Sequence, residues 1–358
     1  MPNEPENCIV AVSMEKEENA MKTKHAEITT VPMPGAPDIP GLCLRRFRGE
    51  ADYEVMASII QQSFDADGID FLYTADDAKR FYEHPHNFDP YEDTMYVQVG
   101  SETVGYLDVV WREESAGTLI YRHGGYLVPS WRRKGIGTAM LRWMEDRLRQ
   151  IAATHTKDAP RVFRTWSDSR ETGKLALLQA HGYKPVRYFF EMVRKMEAPL
   201  PHAPLPAGLE LRPAKPEHYH RVWEALDEAF RDHWGHTPSA EAEYERWIRD
   251  RRFQPELWTI AWDGDQIAGT ILNYIDEEEN QVHNRKRGFT EDICVRRPWR
   301  RKGLARAMLV RSILRLKELG MTEAGLGVDT DNPNGALRLY TSVGFEPVRK
   351  SMVLEKPL

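Results

Sequence analysis

The sequence predicts a mixed α/β protein, with α+β domains around mixed sheets, built from two tandem copies of one domain. Three observations carry that expectation. The 358 residues exceed the usual size of a single hydrophobic core. The pentapeptide Trp131-Arg132-Arg133-Lys134-Gly135 recurs unchanged as Trp299-Arg300-Arg301-Lys302-Gly303. Strand-like and helix-like segments alternate in the same order within each copy.

The repeat extends well beyond the pentapeptide. Ala139-Met140-Leu141 returns as Ala307-Met308-Leu309 in the same register, and Gly41-Leu42-Cys43-Leu44-Arg45 is echoed by Gly208-Leu209-Glu210-Leu211-Arg212. Gly182-Tyr183-Lys184-Pro185-Val186-Arg187 is echoed by Gly344-Phe345-Glu346-Pro347-Val348-Arg349. These blocks set the expected boundaries. Residues 1–40 read as a polar, flexible tail, 41–198 as the first domain, 199–207 as a Pro-rich linker and 208–358 as the second domain.

In the second copy Leu209–Arg212 reads as a strand, and His218–Phe230 and Glu241–Arg249 carry helical spacing. Trp258–Trp262 and Ile267–Tyr274 read as strands joined through the turn signal Asp263-Gly264. Glu291–Val295 is a further strand leading into the basic glycine loop. A helix is expected from Leu304 to Leu319, stopped by Gly320, with Ala305, Met308, Leu309, Ser312, Ile313 and Leu316 on one face. Leu326–Val328, Gly335–Ser342 and Val348–Leu354 complete the copy as strand, helix and strand.

Composition excludes several classes. A net charge of −6 argues against nucleic acid as the principal partner. No apolar run approaches the roughly 18–20 residues that span a bilayer, and residues 1–20 do not read as a signal peptide. Cys8, Cys43 and Cys294 have neither disulfide nor zinc spacing, so a reducing cytoplasmic setting without a metal is expected.

The glycine loop carries the chemistry. A strand, then Arg-Arg-Lys-Gly-Leu-Ala, then a helix suits a phosphate, because the free N–H groups and dipole of a helix N-terminus favour an anion. Gly303 and Ala305 keep side chains out of the way, and Gly135 and Gly137 do so in the first copy. No Gly-Lys-Ser/Thr follows, so this is not a Walker loop, and the spacing is not that of a dinucleotide fingerprint.

With this loop followed by Asn332, Ala336, Leu339-Tyr340 and Gly344-Phe345, the chain resembles the GNAT superfamily of acetyl-CoA-dependent N-acetyltransferases in both halves, in its tandem two-domain form. The resemblance covers residues 41–358 and is most specific over Thr290–Ala305 and Val328–Phe345. It implies that the fourth and fifth strands of the domain splay apart and admit the pantetheine arm of acetyl-CoA. Ile293, Cys294 and Val295 would pair with that arm, and an N–H there would meet the thioester oxygen. Arg300, Arg301, Lys302, Gly303, Leu304 and Ala305 would hold the diphosphate, and Asn332, or Asn334 instead, would contact pantetheine. In the first copy the matching positions are Leu127, Val128, Arg132, Arg133, Lys134, Gly135, Ile136 and Gly137.

Acetyl transfer to an amine needs a neutral amine, a stabilised oxyanion and a proton for the departing thiolate. An alkylamine has a pKa of about 10, so a base is useful. Glu291 is the first candidate and Asp292 the second. Parity leaves the choice open, because a bulge in that strand would reverse which residue faces the substrate, and a solvated acidic strand end is the plain alternative. Tyr340 stands where the family commonly protonates the leaving sulfur; a packed core tyrosine is its plain alternative. Opposite Glu291, Asp292 and Tyr340 the first copy has His123, Gly124 and Leu178. The first domain is therefore expected not to turn the coenzyme over.

The acceptor is expected to be a small-molecule primary amine, such as an amino-sugar conjugate. Asp232, His233, Trp234, His236, Glu241, Glu243, Glu245 and Asp276–Glu279 are candidates for its surroundings. The rival reading is a non-catalytic acyl-CoA-binding sensor or scaffold, against which the retained Glu291, Asn332 and Tyr340 weigh. The oligomeric state is open.

Overall fold

The structure is a computed structural model that describes residues 30–33, 35–83, 85–237 and 241–358. Of the expected tail, residues 1–29 lie outside the described residues. The chain divides into two compact units. One comprises residues up to Ser63 with Tyr73–Val110 and His123–Ile151; the other comprises Phe64–Leu72, Trp111–Arg122 and Ala152–Leu358.

Strands β1 (Thr30–Val31), β2 (Leu42–Arg46), β3 (Thr94–Val99), β4 (Glu102–Glu113) and β5 (Leu119–Leu127) lie in that order, the first three wholly in the first unit and β4 and β5 passing into the second between Trp111 and Arg122. Thr30 and Val31 pair with Arg45 and Leu44, and Met33 is buried, so the end of the presumed tail is anchored by apolar contact. Helices α1 (Tyr53–Asp67), α2 (Ala75–Glu83), α3 (Pro90–Asp93) and α4 (Ile136–Ala153) complete this part of the chain.

The second unit holds β6 (Arg161–Asp168), β7 (Lys184–Lys195), β8 (Glu210–Arg212), β9 (Thr259–Asp263), β10 (Gln266–Ile275), β11 (Arg287–Val295), β12 (Glu323–Asp329) and β13 (Glu346–Pro357). Their spatial order is β6-β13-β7-β12-β11-β10-β9-β8. The last strand of each repeat is thus exchanged. β7, from the first repeat, pairs antiparallel with β12 and β13 of the second, and β13 pairs antiparallel with β6 of the first.

Helices α5 (Thr172–Ala180), α6 (Tyr219–Phe230), α7 (Glu241–Trp247), α8 (Glu277–Val282), α9 (Leu304–Glu318) and α10 (Ala336–Ser342) belong to this unit. The apolar stripe of α9, with Met308, Leu309, Ile313 and Leu316, packs on Ala268, Ile271, Leu326 and Val328. On a second cluster, Val222 and Leu226 of α6 meet Trp258, Ile260, Trp262, Leu272 and Cys294. Each fully buried large side chain contributes about 1.5–3 kcal/mol, so these two clusters hold β10 and β11 firmly. Among the described residues, no helix is long and apolar enough to cross a membrane.

Candidate active site

The site begins where two parallel strands part. β11 and β12 pair only at Arg287–Glu323, Gly288–Ala324 and Phe289–Gly325, although β11 runs on to Val295 and β12 to Asp329. Beyond Phe289 the edge of β11 opens on a cleft of about 960 Å³. Unpaired main-chain groups along such an edge can receive an extended ligand as they would another strand.

A bulge re-aims β11 at this point. Thr270 of β10 pairs with Cys294 and Leu272 with Glu291, so β11 carries one residue more than its partner. Asp292 takes the strain, with φ of +48°. Cys294 turns its side chain into the α6 cluster, where burial pushes the thiol up to about 11. Ile293 and Val295 pack toward the α9 cluster.

Glu291 reaches across the opened strands. Its carboxylate accepts a hydrogen bond from the Gly327 N–H at 2.9 Å. Burial, then the neighbouring Asp292, pushes the carboxyl up to about 8, with the Gly327 bond opposing. Asp292 reaches water, yet the protein around it raises its carboxyl to about 6. Tyr340 of α10 also borders the cleft. Its hydroxyl is held well above the usual tyrosine range by burial and then by Glu291, so it stays protonated. It makes an edge contact with Phe345, with ring centroids 6.3 Å apart.

The glycine loop enters α9 through two left-handed residues, Arg301 with φ of +64° and Gly303 with φ of +85°. Leu304 buries its side chain and Ala305 presents only a methyl group, leaving the first-turn amides free of helical partners. Arg301 and Lys302 are exposed. Arg300 braces the loop, donating to Val295 O at 2.9 Å, to Asp232 at 2.9 Å and to Ala229 O at 3.1 Å. Asp232, weighed from sequence as an acceptor contact, is thereby paired with Arg300 and Arg297, which hold its carboxyl well below the usual range. Asn332 Oδ1 accepts from Asn334 N at 2.8 Å, shaping the turn into α10, and both asparagines border the cleft.

The first repeat keeps the loop backbone. Arg133 has φ of +64° and Gly135 of +86°, and Arg132 donates to Leu127 O at 3.2 Å and Ser63 O at 3.3 Å. Lys134 lies over the Trp131 ring, Ile136 is buried, and Gly137 follows in the first turn of α4. Val128 is buried before the loop. The surroundings differ: a Cβ placed on Gly303 would meet nothing within 4 Å, whereas one on Gly135 would come to 3.4 Å from Cβ of Pro37. His123 and Leu178 are both buried.

Splayed strands and an anion loop at a helix start are what the resemblance implied for the second repeat. The family model described as Acetyltransferase (GNAT) family matches residues 54–160 and 219–345. The chain belongs to the GNAT acetyltransferase family. It is an N-acetyltransferase of the tandem GNAT type, and enzymes of this fold take an acyl-CoA as donor. The mycothiol acetyltransferase of Geodermatophilus obscurus is 28% identical over 231 residues, 61% of this chain and 68% of that protein. That of Pseudarthrobacter chlorophenolicus is 27% identical over 254 residues, 69% of this chain and 72% of that protein. Among solved structures, a GCN5-related N-acetyltransferase from Sphaerobacter thermophilus superposes with a TM-score of 0.66 at 28% identity, covering 89% of this chain and 96% of that one. A tandem GNAT protein from the clavulanic acid biosynthesis pathway shares the fold, with a TM-score of 0.55 at 14% identity over 92% of this chain and 98% of that one.

The bulge, the brace on Arg300 and the exchange of β7 and β13 were not read from sequence. Glu191 of β7 and Trp166 of β6, both on the border of the cleft, were missed for the same reason: they belong to the first repeat. Nothing in that repeat's own pattern points at the second repeat's cleft.

Proposed function

We propose that the second repeat transfers an acetyl group from acetyl-CoA to the primary amine of a small molecule, in one ternary complex, with Glu291 as base and Tyr340 as acid. The observation that carries this is Glu291 lying across the parted strands, in the same cleft as Tyr340 and the Gly303 loop. The amides from Gly303 to Ala305, with Arg301 and Lys302, hold the diphosphate; Ile293 to Val295 and Asn332 accompany the pantetheine. Arg300 acts by fixing the loop.

When bound, the coenzyme supplies the activated acetyl thioester. Glu291 takes a proton from the acceptor ammonium, and the freed nitrogen attacks the carbonyl carbon. A C–N bond forms, the C–S bond breaks and Tyr340 delivers a proton to the sulfur; the second proton shed by the nitrogen restores the tyrosine hydroxyl, leaving the amide and free CoA. A carboxyl poised at about 8 is a stronger base than an ordinary glutamate. The first repeat, with Leu178 in place of the acid, is a structural partner that does not turn over the coenzyme. The two free cysteines among the described residues, Cys43 and Cys294, suit a cytoplasmic setting.

Thiol release from acetyl-CoA, followed by mass spectrometry of the product over a panel of amines, tests the reading. That panel includes amino-sugar conjugates, the acceptor class expected from the sequence. Release at background level with every acceptor, while acetyl-CoA still binds, overturns catalysis in favour of a coenzyme sensor.

A further inference from the structure

The bulge that faces the cleft also opens on a second cavity. A pocket of about 420 Å³ lies beside α6 and α7, and Phe230, His233 and Asp292 border both it and the main cleft. Trp223, Trp234 and Trp247 line it, with Trp223 and Trp247 at 5.3 Å between ring centroids. Burial lowers the pKa of His233, so the imidazole at the junction is neutral at physiological pH.

Two charged groups on this pocket have no counterpart. Arg112 makes no hydrogen bond or ion pair among the described residues, and its Nε is sealed from solvent. A buried donor left unsatisfied is costly, the more so on a charged group. Arg122 and Arg246 add positive potential around it, against the single carboxylate of Glu243. Asp292 carries the other lone charge, on a left-handed backbone conformation that strains a non-glycine residue. Its carboxylate accepts no hydrogen bond among the described residues. By contrast Asp227, also on the pocket, is paired with Arg231 and His236. An unpaired cation, an unpaired anion and aromatic walls complement one kind of small molecule.

We infer that this pocket binds the acceptor and that the acceptor is an amino acid, its ammonium on Asp292, its carboxylate on Arg112 and its apolar side chain among the tryptophans. This rests on the transferase reading above. The ammonium held by Asp292 at the junction enters the cleft in which Glu291 removes its proton. A simple amine would fill the same pocket but leave Arg112 unpaired, and sites with buried polar groups discriminate strongly against ligands that fail to satisfy them.

Intrinsic tryptophan fluorescence of the full-length protein, saturated with CoA, reads the pocket directly. The probes are three pairs: L-phenylalanine and phenethylamine, L-leucine and 3-methylbutylamine, 6-aminohexanoate and pentylamine. At least one amino acid is expected to bind tenfold or more tightly than its partner lacking the carboxylate. Arg112→Gln should abolish that preference, and Asp292→Asn should weaken both members of the pair by tenfold or more. If no amino acid exceeds its amine, or if Arg112→Gln retains the preference, the proposal is overturned. Acetyl-CoA affinity in the same samples confirms folding and separates the two failures. Failure of the wild-type protein to bind acetyl-CoA removes the transferase reading, whereas normal coenzyme binding without carboxylate preference removes only this inference.

Discussion

Glu291→Gln should separate catalysis from stability, moving them in opposite directions. Glutamine keeps an oxygen for the Gly327 N–H, now 2.9 Å from the carboxylate, but cannot take a proton. General-base catalysis typically contributes about 10²–10⁴-fold, so kcat with a good acceptor should fall by that factor. Stability follows from the carboxyl at about 8 against an ordinary value of 4.5. A carboxyl raised in the folded state keeps its proton there over a range where the unfolded chain has released it. Native stability is therefore undiminished below about 4.5 and declines as pH climbs toward 8. The full difference corresponds to about 5 kcal/mol at about 1.4 kcal/mol per pH unit; screening by water in the open cleft reduces this to about 2–3 kcal/mol. At pH 8.5 the glutamine variant should be more stable than wild type by that amount, and near pH 4.5 the two should converge. Urea unfolding at both pH values, with thiol-release kinetics at pH 7.5, measures both. A variant that is less stable at pH 8.5, or within threefold of wild-type kcat, would refute Glu291 as a buried, proton-accepting carboxylate.

Other expectations follow from the same geometry. The rate of the wild-type enzyme should rise with pH through about 8 as Glu291 loses its proton, and that limb should vanish from a pH profile of Glu291→Gln. Tyr340→Phe should lower kcat about 10²-fold without changing the affinity for acetyl-CoA, measured by calorimetry; unaltered kcat would return Tyr340 to a packing role. Gly303→Asp, which puts a carboxylate at the open face of the loop, should weaken acetyl-CoA binding tenfold or more, while Gly135→Asp leaves it unchanged. Calorimetry of the wild-type chain counts the coenzyme sites: one acetyl-CoA per chain confines binding to the second repeat, and two show that the first loop holds it as well.

Local signals were legible and long-range pairings were not. The helix from Leu304, the strand after the Asp263-Gly264 turn and the left-handed glycine of the loop follow from spacing and residue type, and the structure has them at Leu304–Glu318, Gln266–Ile275 and Gly303. The choice between Glu291 and Asp292 stayed open because a bulge is set by two strands together; only the pairing of Thr270 and Leu272 fixes it. Asp276–Glu279, read as candidate surroundings of the acceptor, open a helix that the sequence reading did not place. Asp276 in fact caps α8, its Oδ1 accepting from Glu279 N at 3.0 Å. Arg300 reads as an anion ligand because its neighbours do, but Asp232 and Ala229, which hold it, lie in an earlier helix and its following turn. An exact internal repeat also suggests two self-contained domains. Strand exchange leaves no mark in such a pattern, since β7 and β13 each satisfy the same local rules wherever they pair.

The exchanged strands bear on how the protein is born. The ribosome releases β6 long before β13, yet β6 gains its partner on one edge only when Ser351 to Pro357 emerge. Until then β6 exposes a bare edge, and β7 can pair with β12 but not β13. A chain cut short before Glu346 would therefore leave β6 and β7 each without the strand that covers one of their edges.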